Sequence, residues 1–151
     1  MPAALLAALV GVGVLTGCGG SAAPTRATYG KKVDKVCSDT QARVSAIQGE
    51  KRRSNEDLVR FADDLGKALD DGVRKLREVD RPDGADGEKA RRWLDALARD
   101  NATVVKPALA ELAAAARRGD VAGMRRAAQK VQASNSARVD ELGREAGVER
   151  M

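Results

Sequence analysis

The hydrophobic and polar positions of this chain follow two patterns in succession. Residues 3–15 form a continuous apolar run of Ala, Leu, Val and Gly without a charge. From Tyr29 onward, apolar residues instead recur every three or four positions among charged ones, which is the period of an amphipathic α-helix. Because period-two runs of β-branched and aromatic residues are missing, the sequence predicts no strand. We therefore expect an all-α domain over residues 29–151.

The first two amphipathic segments predict helices over residues 29–53 and 56–79. The apolar stripe of the first comprises Val33, Val36, Cys37, Thr40, Val44 and Ile47. The second has one face of Leu58, Phe61, Ala62, Leu65, Leu69, Val73, Leu76 and Val79. Ser54, followed three residues later by Asp57, fits a capping box, so the chain is expected to restart as a helix there. On the outer face we expect exposed i,i+4 ion pairs rather than catalytic carboxylates: Asp63–Lys67, Asp70–Arg74 and Asp71–Lys75.

A segment rich in Gly and Pro, residues 81–87, predicts a loop before a third helix over residues 87–118. The inward positions of this helix are Ala90, Trp93, Leu94, Leu97, Asn101, Val104, Val105, Ala108, Leu112 and Ala116. Pro107 removes a backbone donor, so we expect a kink near Thr103. Gly119 suits a C-terminal cap, and Asp120 suits the N-cap of a fourth helix that reaches Ala146. Its inward positions include few large side chains, so it should pack least firmly: Val121, Met124, Ala128, Val131, Asn135, Val139 and Leu142.

Four amphipathic helices with short connections predict an up-down four-helix bundle. A three-helix arrangement with a detached fourth helix is the alternative. In the up-down bundle, the first and third turns lie at the same end, away from the N-terminus. That end would hold seven basic residues: Lys51, Arg52, Arg53, Arg117, Arg118, Arg125 and Arg126. The helix dipole favours basic residues at the C-terminal ends of helices, but Arg125 and Arg126 lie near a helix start, where it disfavours them.

The apolar run ends in Leu15-Thr16-Gly17-Cys18, which resembles the lipobox of bacterial lipoproteins. The run fits the apolar core of a signal peptide and is shorter than the ~20 residues of a membrane-spanning helix. No Lys or Arg precedes it, so either the amino terminus supplies the usual positive charge or translation starts upstream. The resemblance implies cleavage after Gly17 and acyl chains, such as palmitate, on Cys18. The expected organisation is a cleaved signal peptide at 1–17, a lipidated cysteine with a flexible tether at 18–28, and the helical domain at 29–151.

The composition of the chain excludes several classes of catalytic and metal-binding sites. The chain has no histidine, which excludes histidine acid–base catalysis and histidine metal ligands. With Cys18 committed to lipid, Cys37 is the one remaining thiol. We expect it to be buried and unreactive, with pairing between chains as the alternative. The spacing of Asp80, Asp83, Asp86 and Glu88 is not that of a helix-loop-helix calcium site, so we predict a solvated turn and neither metal nor cofactor.

Charge indicates which partners suit the protein. The sequence contains 27 basic and 22 acidic residues, which gives a net charge of +5. Its three aromatic residues, Tyr29, Phe61 and Trp93, are too few to form a base-stacking surface, so nucleic acid is not expected as a partner. The seven basic residues would instead contact an anionic envelope polymer or an acidic protein.

From Tyr29 onward the chain resembles small helical lipoproteins of high-GC Gram-positive bacteria. The resemblance rests on Tyr29, Val36-Cys37, the Pro82-Asp83-Gly84 turn before Trp93-Leu94, Arg118-Gly119-Asp120 and Leu142-Gly143. Such proteins often carry a second cysteine soon after the Leu-Gly pair, whereas this chain has none at residues 147–150. The chain therefore lacks the partner for the disulfide that the resemblance would imply.

These observations together predict a membrane-anchored extracytoplasmic lipoprotein. We expect a non-enzymatic helical domain that binds a partner or organises the cell envelope, because no catalytic constellation is present in the sequence. The alternative is a carrier or sensor of a small apolar ligand held within the bundle. In both cases the localisation is the outer face of the cell membrane, through the lipid on Cys18.

Overall fold

The computed structural model describes residues 23–133 and 137–148, and it is helical throughout its regular elements. The helices are α1 (Arg26–Gly49), α2 (Asn55–Glu78), α3 (Gly84–Asp100), α4 (Lys106–Arg117), α5 (Val121–Ala133) and α6 (Ala137–Ala146). Since no strand occurs in the part of the chain that is described, the all-α prediction is confirmed. The predicted signal peptide and the predicted lipidation site, Cys18, lie outside the described residues.

The predicted third helix corresponds to α3 and α4, which a π-helical turn at Asn101–Val105 joins without a break. Pro107 follows two residues later and has no N–H to donate to the carbonyl of Thr103. The π turn therefore occupies the place where the sequence predicted a kink, and the Thr103 hydroxyl donates to the Arg99 carbonyl at 2.8 Å. Its extra residue changes which side chains face inward, so that Val105 is buried but Val104 is 37% exposed.

Helix α1 begins and ends earlier than the sequence predicted. The Thr25 hydroxyl accepts a hydrogen bond from the Thr28 N–H at 3.2 Å, which caps a helix that starts at Arg26. The last three residues of the predicted tether are consequently helical. At the other end, α1 stops at Gly49, because residues 51–53 are basic and offer no apolar side chain to the core stripe.

The predicted capping box at the start of α2 is confirmed. The Ser54 hydroxyl accepts from the Asp57 N–H at 3.1 Å, and the Asp57 carboxylate accepts from the N–H groups of Ser54 at 3.0 Å and Arg53 at 2.9 Å. Three backbone N–H donors at the helix start are thereby satisfied. These bonds and the one from Arg60 lower the pKa of Asp57, with the Arg53 N–H the largest cause.

Two of the three ion pairs predicted on the outer face of α2 are wrong. Lys75 does pair with Asp71 at 3.4 Å. Arg74, however, pairs with Asp71 and Glu78 rather than with Asp70, and Lys67 lies 3.8 Å from Asp64 rather than pairing with Asp63. The i,i+3 positions compete with i,i+4 on a helix surface, and Asp70 is engaged elsewhere.

The loop between α2 and α3 is shorter than predicted, because α3 begins at Gly84 rather than at Gly87. Gly84 has φ +63°, a conformation that favours glycine and turns the chain directly into the helix. Gly87 then packs against the loop so closely that an added Cβ would lie 2.1 Å from the Pro82 carbonyl oxygen.

The predicted boundary between α4 and α5 is confirmed in detail. Gly119 has φ +67°, and its N–H donates to the Ala116 carbonyl at 3.0 Å while the Asp120 N–H donates to the Ala115 carbonyl at 2.9 Å. The Asp120 carboxylate then accepts from the Gly123 N–H at 2.8 Å and caps α5.

Two apolar clusters form the core. The first combines the start of α1 and the end of α2 with α3 and α6: Tyr29, Val33, Leu76, Ala90, Trp93, Leu94, Val139, Leu142, Ala146 and Val148. The second combines the end of α1 and the start of α2 with α4 and α5: Val44, Ala62, Leu65, Ala68, Val105, Leu109, Leu112, Ala113 and Ala127. The described helices therefore pack as one bundle.

The predicted fourth helix packs unevenly. Helix α5 buries only Ala127, and Val121, predicted to face inward, is 65% exposed at the first position of the helix. Helix α6 buries Val139, Leu142, Gly143 and Ala146. The prediction of weak packing is therefore wrong for α6, whereas α5 has one fully buried residue and packs Met124 and Val131 against the second core cluster. None of the described helices combines the length and apolar character needed to span a membrane.

Candidate binding surface at the α1–α2 and α4–α5 turns

The turn between α1 and α2 lies against the turn between α4 and α5. A Cβ added at Gly119 would lie 3.8 Å from the side-chain nitrogen of Asn55. The seven basic residues predicted to gather are carried by these two turns and by the helix ends beside them. We call this group the basic end; it comprises Lys51, Arg52, Arg53, Arg117, Arg118, Arg125 and Arg126.

Two of the seven have partners within the protein. The Arg52 guanidinium donates to the carbonyls of Ile47 at 3.4 Å and Gln48 at 3.2 Å and lies 4.5 Å from the centroid of the Phe61 ring. It therefore satisfies the last carbonyls of α1 and stabilises that helix end. Arg126 lies 3.9 Å from the Asp120 carboxylate, a looser contact than a hydrogen bond.

The other five side chains of the basic end are exposed and make no hydrogen bond or ion pair with the described residues: Lys51, Arg53, Arg117, Arg118 and Arg125. The neighbouring carboxylate of Asp57 does not balance them, because it is held by backbone N–H groups and by Arg60. An excess of unpaired positive charge at one end of a small domain attracts anionic partners from a distance.

A cleft of about 340 Å³ opens between α4 and α5 beside the basic end. Its lining is part charged and part small, and consists of Glu111, Ala114, Ala115, Arg118, Asp120, Gly123, Arg126 and Lys130. The Lys130 ammonium donates to both carboxylate oxygens of Glu111, at 2.7 and 2.9 Å, and so joins the two helices. We refer to this feature as the α4–α5 cleft.

The N-terminal segment lies at a different place, beside the loop between α2 and α3. A second cavity, of about 430 Å³, is lined by Ala23 and Pro24 together with residues 77–81. Arg26 donates to the Arg144 carbonyl at 3.2 Å, and a Cβ at Gly30 would lie 2.5 Å from the Gly147 carbonyl oxygen. The segment that leads to Cys18 therefore enters the bundle where α6 ends. Cys18 itself lies outside the described residues.

Two of the four acidic residues near the α2–α3 loop, Asp86 and Glu88, form local ion pairs, and the exposed Asp80 and Asp83 form none with the described residues. Arg91 donates to Glu88 at 2.5 Å, which lowers the pKa of Glu88, and Lys89 lies 3.6 Å from Asp86. Within residues 23–133 and 137–148, no three acidic or cysteine side chains converge as metal ligands. The pairs instead hold the first turn of α3.

Cys37 is half-buried rather than fully buried, and it packs against the first core cluster. Burial, followed by the nearby Asp34 carboxylate, raises the pKa of its thiol to about 11. Little thiolate therefore exists at neutral pH, which agrees with the expectation of an unreactive thiol.

Sequence reasoning missed a group of buried polar atoms around the first core cluster. The Tyr29 hydroxyl, the Trp93 indole N–H and one Asp34 carboxylate oxygen are buried without a hydrogen-bond partner in the part of the chain that is described. Burial raises the pKa of Tyr29 to about 12, with the positive charge of Arg81 acting in the opposite direction. Apolar periodicity placed Trp93 inward but carries no signal about the hydrogen-bond partners of buried polar atoms.

A polar contact between α2 and the π turn was also missed. Asp70 accepts from the Asn101 amide at 2.8 Å and from the Lys106 ammonium at 2.8 Å. Asn101 is only 9% exposed, so this bond satisfies an otherwise buried amide. Asp70 thus fixes the π turn against α2.

Comparison with known proteins adds no relative: no protein-family model matches the chain, and no curated protein or solved structure is significantly similar to it. Function must therefore be inferred from the residues and their arrangement.

Proposed function

We propose that this protein is a lipid-anchored extracytoplasmic lipoprotein whose helical domain binds an anionic partner in the cell envelope. In this proposal the protein is not an enzyme. Cys18 holds one end of the domain at the membrane surface, and the basic end contacts an anionic polymer or an acidic protein. Two or more acyl chains on Cys18 would give stable anchoring, because one chain alone binds a bilayer only marginally.

The antiparallel packing of α1 and α2 supports this arrangement. The second core cluster combines the end of α1 with the start of α2, and the first combines the start of α1 with the end of α2, as expected for antiparallel neighbours. The N-terminal segment lies beside the α2–α3 loop, whereas the α1–α2 and α4–α5 turns lie together. We infer that the basic end points away from the anchored end.

The observation that carries the proposal is the set of five unpaired cations at the basic end. Repulsion among like charges opposes folding, and the helix dipole compensates for it only near the C-terminal ends of α1 and α4, not at Arg125 in the first half of α5. A binding role gives these residues a reason to be together.

The alternative, a carrier of a small apolar ligand, has less support. The two cavities of about 340 and 430 Å³ are lined by charged and small residues. A site for an apolar ligand is instead lined mainly by hydrophobic and aromatic side chains.

Fractionation of cells that express the full-length chain tests both halves of the proposal. We expect the natural chain in the membrane fraction, carrying a diacylglyceryl mass on Cys18, and cross-linked to wall polymer. Cys18→Ser should release it from the membrane. The fourfold variant R117E, R118E, R125E, R126E should stay in the membrane fraction but lose the cross-link to polymer.

A matched control is the fourfold variant K31E, K32E, R77E, R81E, which makes the same change of charge at exposed positions away from the basic end. It should keep both membrane attachment and cross-linking. If the Cys18→Ser chain stays in the membrane, the anchor is refuted. If the two fourfold variants behave alike, the role of the basic end is refuted.

A further inference from the structure

The α4–α5 cleft differs from the rest of the basic end because it also presents carboxylates and a small apolar floor. Its walls carry three cations, Arg118, Arg126 and Lys130, and two carboxylates, Glu111 and Asp120. Both acids have structural roles, since Glu111 pairs with Lys130 and Asp120 caps α5, yet both line the cleft and keep lone pairs that can accept further hydrogen bonds. The mixed lining indicates a ligand with both an acidic group and hydrogen-bond donors.

The charged groups of the cleft are not equally occupied. Glu111 and Lys130 neutralise each other through two hydrogen bonds. Arg126 keeps free donors, because its contact with Asp120 is 3.9 Å long. Arg118 has no partner among the described residues and lies at the end of the cleft nearest the α4–α5 turn. Two guanidinium groups are therefore available to an oxyanion, which arginine binds with paired N–H donors.

Residues with small side chains line the base of the cleft between its charged groups. Ala114 and Ala115 form one wall, and Gly123 forms the other. A Cβ at Gly123 would lie 2.3 Å from the Asp120 carboxylate and 3.1 Å from the Ala115 Cβ, so glycine permits both the N-cap and the close approach of α4 and α5 at the base of the cleft. The volume of about 340 Å³ lies at the lower end of the range of small-molecule sites.

We propose that the α4–α5 cleft binds one sugar residue that carries an acidic group, as part of the anionic envelope partner. Arg118 and Arg126 donate to the acidic group, the free oxygen of Asp120 and the carboxylate of Glu111 accept from hydroxyls, and Ala114 contacts the face of the ring. This inference rests on the proposed function and specifies its ligand. The acidic group is a phosphate ester or a carboxylate.

The test is an NMR titration of the full-length chain in detergent micelles, followed through the amide signal of Gly123. The probes are glucose 1-phosphate, glucuronate, glucose and inorganic phosphate. We expect one of the two acidic sugars to shift the Gly123 signal with a dissociation constant at least tenfold lower than that of glucose or inorganic phosphate. The better of the two acidic sugars identifies the acidic group as phosphate or carboxylate.

Variants locate the site. Arg118→Ala should weaken binding of the acidic sugar about tenfold, because it removes a charge-assisted hydrogen bond. Ala114→Leu should abolish it by filling the cleft. Arg117→Ala, which removes the same charge from a neighbouring residue that does not line the cleft, should change the affinity less than twofold.

Three results would overturn the inference: no shift at Gly123 with either acidic sugar, equal affinity for inorganic phosphate, or equal effects of Arg117→Ala and Arg118→Ala. The proposed function has separate readouts. If the natural chain forms no cross-link to an envelope polymer, the proposed function is refuted even if the sugar still binds. If the chain binds the polymer but no acidic sugar binds in the cleft, only the proposed sugar site is refuted.

Discussion

At the scale of single residues, Tyr29 and Trp93 bury hydrogen-bond donors that have no partner within residues 23–133 and 137–148. Both side chains are fully buried, in a core whose aromatic members are otherwise few. A buried donor without a partner costs roughly 1–3 kcal/mol of stability, so these two atoms oppose the apolar burial of their own rings.

Replacing Tyr29 by Phe should therefore raise the free energy of unfolding by about 1 kcal/mol, because the ring still packs while the unpartnered hydroxyl is removed. Chemical denaturation of the two chains measures this difference. Tyr29→Ala is the control, since loss of the whole ring should cost about 3–5 kcal/mol. A loss of more than 1 kcal/mol in Tyr29→Phe would show that the hydroxyl makes a stabilising hydrogen bond.

At the scale of the elements, local signals predicted best where one residue type determines the backbone. Ser54 with Asp57, and Gly119 with Asp120, were recognised because a cap depends on groups within three or four residues of each other. The start of α3 at Gly84 was missed, since a Gly-rich segment reads as a loop unless the packing of Gly87 against Pro82 is known.

The contact between Asp70 and the π turn could not be predicted for the same reason. In the sequence, Asp70 is four residues before Arg74 and fits an exposed i,i+4 pair. Its actual partners, Asn101 and Lys106, lie more than thirty residues away along the chain. Pro107 was the one sequence feature that predicted an irregular helix near Thr103.

Asp70→Ala should lower the free energy of unfolding by about 1–2 kcal/mol, because it leaves the buried Asn101 amide without its acceptor. Asp63→Ala is the matched control on the same helix, since Asp63 is exposed and has no ion pair in the described residues; its effect should stay within about 0.5 kcal/mol. Thermal denaturation followed by circular dichroism compares them. Equal effects of the two substitutions would show that Asp70 does not hold the π turn.

At the scale of the whole molecule, the sequence predicted the all-α fold class, because helical periodicity strongly restricts such a chain. It also named the seven residues of the basic end, whose role in binding stays a prediction. It could not predict which of those residues are free. Arg52 is used on the α1 terminus and Phe61, while Lys51, Arg53 and Arg117 remain exposed. Nor could it predict the α4–α5 cleft, which depends on how two helices pack.

Unpaired charge is distributed unevenly between the two ends of the bundle. The N-terminal segment enters beside the α2–α3 loop, where Glu88 pairs with Arg91 and Asp86 with Lys89. The unpaired cations gather at the joined turns instead. With Cys18 in the membrane, the domain would present this positive surface to the envelope.

The most direct test of this account is the salt dependence of binding between the full-length chain in detergent micelles and two soluble polymers, poly(glycerol phosphate) and polygalacturonate. We expect binding to at least one polymer, a steep loss of affinity as ionic strength rises through about 0.15 M, and a much shallower dependence in the R117E, R118E, R125E, R126E variant, because exposed charges are screened by salt. Salt-independent binding, or the same dependence in both chains, would contradict the account.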